Sequence, residues 1–244
     1  MDRRRLAGTR QHGDAAGEDA DATYCAAVCA KSQTCRAMSS DGLEARLRAR
    51  LTPLSQMAAL MARSDRDLNP DWAASPVRAL RDAAVLAPIV MRPDGWTMLF
   101  TERAAGLASH AGQISFPGGR IDANDASPLE AALREAEEEI GLARRYVTPI
   151  GGSDPYETGT GFRIAPIVAL IEPGFTLTPD PREVADIFEA PFDFLMNPAN
   201  HERREGEWRG RRGAYYAMPY QDRFIWGATA GMIRALYERL YGGG

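Results

Sequence analysis

The stretch from Ser127 to Gly141 constrains the fold most, because it carries the start and stop signals of a single helix. Ser127 is a residue that commonly caps a helix N-terminus, and Pro128 suits the first helical position. Gly141 has the backbone freedom that helix C-termini favour. We therefore predict a helix over residues 129–140.

Three glutamates of this helix fall on one side. Glu135, Glu138 and Glu139 are spaced i, i+3 and i+4, and the helical turn brings these positions together. Like charges at this spacing cost a few tenths of a kcal/mol per pair. Mg²⁺ or Mn²⁺ would reverse the sign of this interaction, because hard cations favour carboxylate oxygens. Arg134 lies four residues before Glu138 and could bind a carboxylate through two hydrogen bonds.

A solvated acidic helix face would also explain these glutamates, since acidic runs are common on helix surfaces. The segment before the helix favours the cation. Phe116-Pro117-Gly118-Gly119 offers backbone that can approach a phosphate or a metal ion, because glycine has no side chain to obstruct it. A glycine loop followed by a helix with an acidic cluster indicates a site for a metal ion and a diphosphate.

Residues 134–142 resemble the second half of the signature of the Nudix hydrolases. That signature is a glycine, five residues, a glutamate, seven residues, and then Arg-Glu-apolar-x-Glu-Glu-x-Gly-apolar; its second half is complete here. The first half departs, because Arg134 lies one residue too far from Gly119 and Ala126 stands where the glutamate is expected. The resemblance implies an α+β domain of the Nudix type, an α/β/α sandwich with a mixed central sheet.

With this departure, the sequence resembles one branch of the family, the coenzyme A pyrophosphatases. Their additional motif is similar to residues 99–104 (LFTERA), followed by Gly112 and the Phe-Pro-Gly-Gly run. Ala108 stands where that motif has an internal arginine. The similarity covers about residues 43–241, with further matches at 110–113, 158–164 and 225–229.

The resemblance implies roles for the charged residues of the helix. Glu135, Glu138 and Glu139 would hold Mg²⁺ or Mn²⁺, and the Gly119 backbone would complete the metal shell. Glu138 and Glu139 are the expected catalytic carboxylates, and Arg134 is their expected orienting partner.

Further site residues are expected outside the helix. Arg103 could neutralise a substrate phosphate, although a strand-end surface arginine is the alternative. His110 and the Gly118 backbone could contact substrate, and a polar loop residue is the alternative for His110. Hydrolysis also requires a general base, for which Glu183 is the candidate; a surface glutamate is the alternative.

The implied substrate is coenzyme A or an acyl form, cleaved to 3′,5′-ADP and 4′-phosphopantetheine or its acyl form. Ala108 keeps another nucleoside diphosphate derivative, such as ADP-ribose or NADH, open as an alternative. A Nudix-fold ligand sensor without turnover is a second alternative. Such sensors typically lose carboxylates of the signature, whereas all three remain here.

Composition narrows the classes of partner. The 244 residues carry a net charge of −4, so there is no basic bias that would indicate a nucleic-acid partner. No stretch approaches the roughly 20 apolar residues of a membrane span, and no apolar run follows the first residues as in a secretion signal. We expect a cytoplasmic monomer or homodimer that binds a small nucleotide, with no membrane or nucleic-acid partner.

The chain is expected to divide into a disordered tail at 1–37 and a Nudix domain with an N-terminal helical extension at 38–244. Met38 is a plausible natural start. The cysteines of the tail are expected to be free thiols: Cys25, Cys29 and Cys35.

Hydrophobic patterns predict the other elements. A helix is expected at 43–50 and a final amphipathic helix at 229–241. Pro166 predicts an edge or a bulge in its strand. The predicted strands are 83–90, 96–101, 162–172, 208–216 and 224–226.

Overall fold

The computed structural model describes residues 40–74, 79–106, 111–208 and 210–242. The described residues belong to one compact unit, Ser40–Gly244. The predicted tail with its three cysteines and the possible start at Met38 therefore lie outside the described residues.

The described residues form four α-helices and twelve strands. The helices are α1 (Ser40–Arg50), α2 (Pro128–Ile140), α3 (Phe192–Leu195) and α4 (Gly227–Tyr241). The strands are β1 (Arg63–Ser64), β2 (Arg81–Val90), β3 (Thr97–Arg103), β4 (Ile114–Ser115), β5 (Gly118–Arg120), β6 (Val147–Gly152), β7 (Tyr156–Glu157), β8 (Phe162–Ile171), β9 (Val184–Pro191), β10 (Glu202–Trp208), β11 (Arg211–Tyr220) and β12 (Arg223–Trp226). None of these four helices has the length and apolar character needed to span a membrane.

Nine strands form one sheet around β2 and β8. These two strands run parallel over ten residue pairs, from Arg81 opposite Phe162 to Val90 opposite Ile171. The antiparallel pairs are β2 with β3 and β5, β3 with β4 and β9, and β8 with β6 and β7. β10, β11 and β12 form a separate antiparallel sheet. The predicted mixed central sheet is confirmed.

Two helices cover opposite faces of this sheet. The β2 side chains at 84, 86 and 90 join a core that includes Ala132 and Ala136 of α2. The alternate side chains at 85, 87 and 89 join a second core with Ile233 and Leu236 of α4. Successive side chains of a strand point to opposite faces, so the sheet lies between α2 and α4. This confirms the predicted α/β/α arrangement of an α+β domain.

The predicted N-terminal helix packs into the same domain. Leu43, Leu47 and Leu51 are buried and belong to the core on the α4 side of the sheet. Arg239 of α4 donates a hydrogen bond to the carbonyl oxygen of Arg50 at 3.3 Å. The leucines spaced by four therefore mark a helix that contributes to the core.

One strand prediction is wrong. Residues 208–216 do not form one strand, because β10 ends at Trp208 and β11 begins at Arg211. Charged residues fill most of β10, so its sequence shows no apolar alternation.

Pro166 does not lie on an edge strand, since β8 has neighbours on both sides. It lies at a bulge, the other predicted feature, because Gly152 pairs with Ile167 and Tyr156 with Ile164, so residues 153–155 lie opposite 165–166. The Pro166 carbonyl accepts a hydrogen bond from the Ser153 amide at 3.1 Å.

Candidate active site

Helix α2 begins and ends where the sequence predicts. The Ser127 side chain accepts a hydrogen bond from the Glu130 amide at 3.2 Å. Gly141 ends the helix in the left-handed region, with φ 67°. Small buried side chains such as Ala132 and Ala136 allow the helix to lie close to the sheet. Its acidic side then faces the glycines of β5.

Glu139 is the most buried carboxylate of the cluster, with 4% of its surface exposed. Its Oε2 accepts a hydrogen bond from the Gly118 amide at 3.0 Å, and a terminal nitrogen of Arg103 lies 3.9 Å from its Oε1. Burial raises the pKa of Glu139 to about 7, and the charges of Glu135 and Glu183 add to this effect. A neighbouring cation would favour the ionised form of such a buried carboxyl.

Two glycines of β5 bring the backbone against the carboxylates. A Cβ on Gly119 would lie 2.5 Å from Cδ of Glu135, so a side chain here would occupy the place of this carboxylate. Gly118 has φ 152°, and a Cβ there would lie 2.4 Å from the carbonyl oxygen of Ala84. The sheet therefore requires glycine at 118, and the site requires it at 119.

Arg134 binds acceptors on both sides of its guanidinium. Its Nε and Nη2 donate to the two carboxylate oxygens of Asp125, at 3.0 and 2.8 Å. Its Nη1 donates to Glu135 at 2.8 Å and to Glu138 at 3.0 Å, and Nη2 also donates to the Arg120 carbonyl at 3.2 Å. The hydrogen bonds to Asp125 are the main cause that raises the pKa of Arg134. The expected orienting partner thus contacts two of the three glutamates.

Asp125 is a contact of the site that was not predicted from the sequence. This residue lies six positions after Gly119, where the family signature has its glutamate, and the extra residue falls between Asp125 and Arg134. Its paired hydrogen bonds with Arg134 lower the pKa of Asp125 to about 2. Counting forward from Gly119 would have found it, whereas counting back from Arg134 leads to Ala126.

Glu183 is distant from α2 in sequence but faces its carboxylates. It is exposed, and its carbonyl accepts a hydrogen bond from the Ala104 amide at 2.9 Å. Burial is the main cause that raises the pKa of Glu135 and Glu139, and the Glu183 charge contributes in both. The structure therefore brings Glu183 to the cluster, while its role as general base remains a prediction.

Glu138 lies further out than the other two glutamates of the cluster. Glu138 is 61% exposed and turned towards Arg134, so it is the outermost of the three glutamates. His110 lies outside the described residues, as does Ala108. The expected contact between His110 and substrate stays a prediction.

The donor chemistry fits a hard divalent cation. Within the described ranges, no three His, Cys, Asp or Glu side chains are arranged closely enough to hold a metal ion as they stand. Arg134 donates hydrogen bonds to oxygens of Glu135 and Glu138. A cation would compete with Arg134 for these oxygens. The buried carboxylate of Glu139 and the cradle at Gly119 supply oxygen ligands and space, which suit Mg²⁺ or Mn²⁺. Glu135, Glu138, Glu139 and the Gly119 backbone would hold it.

Comparisons with known proteins identify the family of this chain. The family model of the NUDIX domain matches residues 80–210. The chain is 41% identical over 160 residues to a protein of Photorhabdus laumondii named "Uncharacterized Nudix hydrolase NudL", a match that covers 66% of this chain and 85% of that protein. The protein of the same name in Escherichia coli is 40% identical over 156 residues, which cover 64% of this chain and 81% of the relative.

Solved structures give partial overlaps. The Ap4A hydrolase of C. elegans overlaps with a TM-score of 0.40 and 16% identity, over 46% of this chain and 80% of that one. The family match spans more than half of the chain and includes α2 with its glutamates. The chain belongs to the Nudix family and is a hydrolase of diphosphate bonds in nucleoside diphosphate derivatives.

Proposed function

We propose that this chain hydrolyses the diphosphate of coenzyme A and of acyl-coenzyme A, with Mg²⁺ or Mn²⁺ as cofactor. The products are 3′,5′-ADP and 4′-phosphopantetheine or its acyl form. The observation that supports this substrate is the meeting of two motif segments at one carboxylate. Arg103, from the segment at 99–104, and the Gly118 amide, from the Phe-Pro-Gly-Gly run, both approach Glu139.

This convergence explains why the two segments occur together. Arg103 lies at the end of β3, where its side chain is 27% exposed and a terminal nitrogen lies 3.9 Å from Glu139. That separation is longer than a hydrogen bond. No hydrogen bond to Glu139 therefore holds the Arg103 guanidinium, which can turn to an incoming phosphate. This position supports a role for Arg103 as the cation that binds the substrate, next to the carboxylates proposed for the metal ion.

The side chains of the site have distinct tasks in the reaction. Hydrolysis adds water across the diphosphate: one phosphorus gains the water oxygen, and the bond to the bridging oxygen breaks. Glu183 accepts the proton of the attacking water, and Arg103 binds a phosphate oxygen. Arg134 orients Glu135 and Glu138. A divalent cation, when bound, supplies neutralisation of the charge on the diphosphate oxygens.

A substrate panel tests the proposal. Purified protein is assayed with Mg²⁺ against coenzyme A, acetyl-coenzyme A, ADP-ribose and NADH, and products are separated by chromatography. We expect kcat/KM for the coenzyme A substrates to exceed that for the other two by at least about tenfold, a difference of about 1.4 kcal/mol in transition-state binding. A preference for ADP-ribose or NADH would refute the coenzyme A assignment and leave the family unchanged.

The Glu138→Gln variant separates an enzyme from a ligand sensor. Because Glu138 is exposed, we expect the variant to fold normally and to lose turnover by several orders of magnitude. Equal turnover in the variant and the wild type would contradict the role of this carboxylate.

A further inference from the structure

Arg223, the first residue of β12, joins the second sheet to the strands that carry the site. Its Nη1 donates to Oε2 of Glu102 at 2.5 Å, and its Nη2 donates to Oδ2 of Asp186 at 2.6 Å. The guanidinium lies over the ring of Phe188, 4.9 Å from the centroid. The side chain is only 23% exposed. Arg223 therefore spans two strands of the central sheet from outside it.

The two carboxylates that Arg223 binds oppose one another. Glu102 of β3 and Asp186 of β9 are direct partners in the antiparallel register. Like charges at directly opposite positions destabilise a strand pair. Arg223 neutralises both with one planar group, a geometry that lysine cannot reproduce. The pairing of β3 with β9 at this point therefore involves a third residue, Arg223, which is 37 positions from Asp186 and 121 from Glu102 in the sequence.

The strand pair changes register immediately beyond these carboxylates. A bulge between Glu102 and Arg103 sets Arg103 opposite Val184. The next amide, that of Ala104, donates to the carbonyl of Glu183 at 2.9 Å. Arg103 and Glu183 thus leave the sheet together, one step past the opposed carboxylates. Their position relative to α2 follows from how tightly the strand pair closes there.

We propose that Arg223 is a positioning residue for the hydrolysis. By holding Glu102 and Asp186 together, it fixes the bulge that directs Arg103 and Glu183 towards the carboxylates of α2. Arg223 makes no contact with Glu135, Glu138 or Glu139 among the interactions of the described residues, so it acts through the strand pair. The inference rests on the proposed function, which assigns Arg103 and Glu183 to the reaction.

Kinetics of Arg223→Met provide the first test. Methionine keeps an apolar chain beside Phe188 and removes the charge, so the opposed carboxylates repel. We expect kcat to fall by about 10- to 100-fold. Arg204→Met is the matched control, since Arg204 lies in the same sheet, donates to Glu202 at 2.7 Å and lies 4.9 Å over Phe224. It should retain kcat within about twofold of wild type.

A second variant tests the cause of the loss. Arg223→Met combined with Glu102→Gln removes the repulsion without restoring the arginine. We expect this pair to recover most of the lost kcat, whereas Arg223→Lys should recover it only in part. A double variant as slow as Arg223→Met would overturn the proposed mechanism, as would an unimpaired single variant.

Amide hydrogen exchange separates positioning from general destabilisation and needs no substrate. In Arg223→Met, peptides covering 102–106 and 183–187 should exchange faster than in wild type, while peptides from α2 and β8 stay unchanged. Equal exchange of those two segments in Arg223→Met and Arg204→Met would overturn the proposal. If the substrate panel excludes coenzyme A, the exchange comparison still decides the role of Arg223, so the two failures are distinguishable.

Discussion

At the residue scale, the space beside Gly119 decides where the Glu135 carboxylate can lie. The backbone of Gly119 is outside the left-handed range, so Gly119→Ala is compatible with the chain conformation. The atoms nearest to the new Cβ would be those of the Glu135 carboxylate, with Cδ 2.5 Å away at the end of a flexible side chain. We expect kcat to fall by about 100-fold, with a loss of less than about 1 kcal/mol in unfolding free energy. Steady-state kinetics and urea unfolding measure both.

Two other glycines serve as controls for this variant. Gly159→Ala meets no atom within 4 Å and should retain full activity. Gly118→Ala would meet the Ala84 carbonyl from an unfavourable φ and should lose stability together with activity. Full activity of Gly119→Ala would show that Glu135 does not need its present position.

Asp125 is expected to act through Arg134. Asp125→Asn keeps the size of a side chain that is 7% exposed but removes its charge, so the paired hydrogen bonds to Arg134 weaken. Arg134 would then hold Glu135 and Glu138 less firmly, and we expect kcat to fall about tenfold with little change in KM.

Asp122→Asn is the matched control, because Asp122 lies 3.8 Å from the same guanidinium and is 66% exposed. Its kinetics should stay close to those of wild type. Identical kinetics for the two variants would mean that the paired hydrogen bonds between Asp125 and Arg134 have no special part in orienting the glutamates.

At the element scale, local signals were enough for some elements and not for others. The cap at Ser127, Pro128 and Gly141 is a property of neighbouring residues, so α2 was predicted within one residue. The strands β2 and β3 were predicted as well, because their hydrophobic pattern is also a property of neighbouring residues. β10 carries charges on both faces and is held by pairing with β11, which no local pattern reports.

His201, which contacts residues of both α3 and α4, gives a prediction about pH. The Nε2 of His201 lies 2.6 Å from the Leu195 carbonyl, and its Nδ1 lies 3.5 Å from Nη1 of Arg234. Burial lowers the pKa of His201 from its ordinary 6.5, and the Arg234 charge acts in the same direction. The unfolded chain therefore takes up this proton at higher pH than the folded chain. The unfolding free energy should fall as the pH drops below about 6.5.

Replacing His201 by glutamine removes this titration and keeps a hydrogen-bond donor for Leu195. Urea unfolding from about pH 7.5 to about pH 5.5 should show a steeper loss in wild type than in His201→Gln, with a difference of at most about 1.4 kcal/mol per pH unit. The other histidines are present in both proteins, so their contribution to the pH dependence cancels in the difference between the two curves. Parallel curves would contradict a neutral His201 in the folded protein.

At the scale of the whole molecule, the site is assembled from segments that are distant in sequence. Arg103, Gly118, Glu139 and Glu183 come from β3, β5, α2 and the loop before β9. The sequence identified these residues by type and motif, but their proximity depends on the pairing of β3 with β9 and of β5 with β2. Arg223 is the clearest case that could not be predicted from the sequence, because its two partners are known only once both sheets are folded.

The N-terminal helix is expected to stabilise the domain without contributing to the chemistry. Leu47 is fully buried in the core on the α4 side, which is opposite to the α2 side with the acidic cluster. Leu47→Ala should lower the unfolding free energy by about 2–5 kcal/mol and leave kcat of the folded protein unchanged. Exposed Arg48→Ala is the control. An equal stability of Leu47→Ala and Arg48→Ala would contradict the packing of α1.

The proposed metal-dependent reaction is tested most directly by the dependence of coenzyme A hydrolysis on divalent cation and on Glu139. Formation of 3′,5′-ADP is followed while Mg²⁺ is titrated into metal-free wild type and into Glu139→Gln, which keeps the size of the side chain and an acceptor for the Gly118 amide. We predict saturable activation of wild type by Mg²⁺ and a rate at least about 100-fold lower in the variant at every Mg²⁺ concentration. Hydrolysis by wild type without any divalent cation, or equal activation of both proteins, would contradict the account.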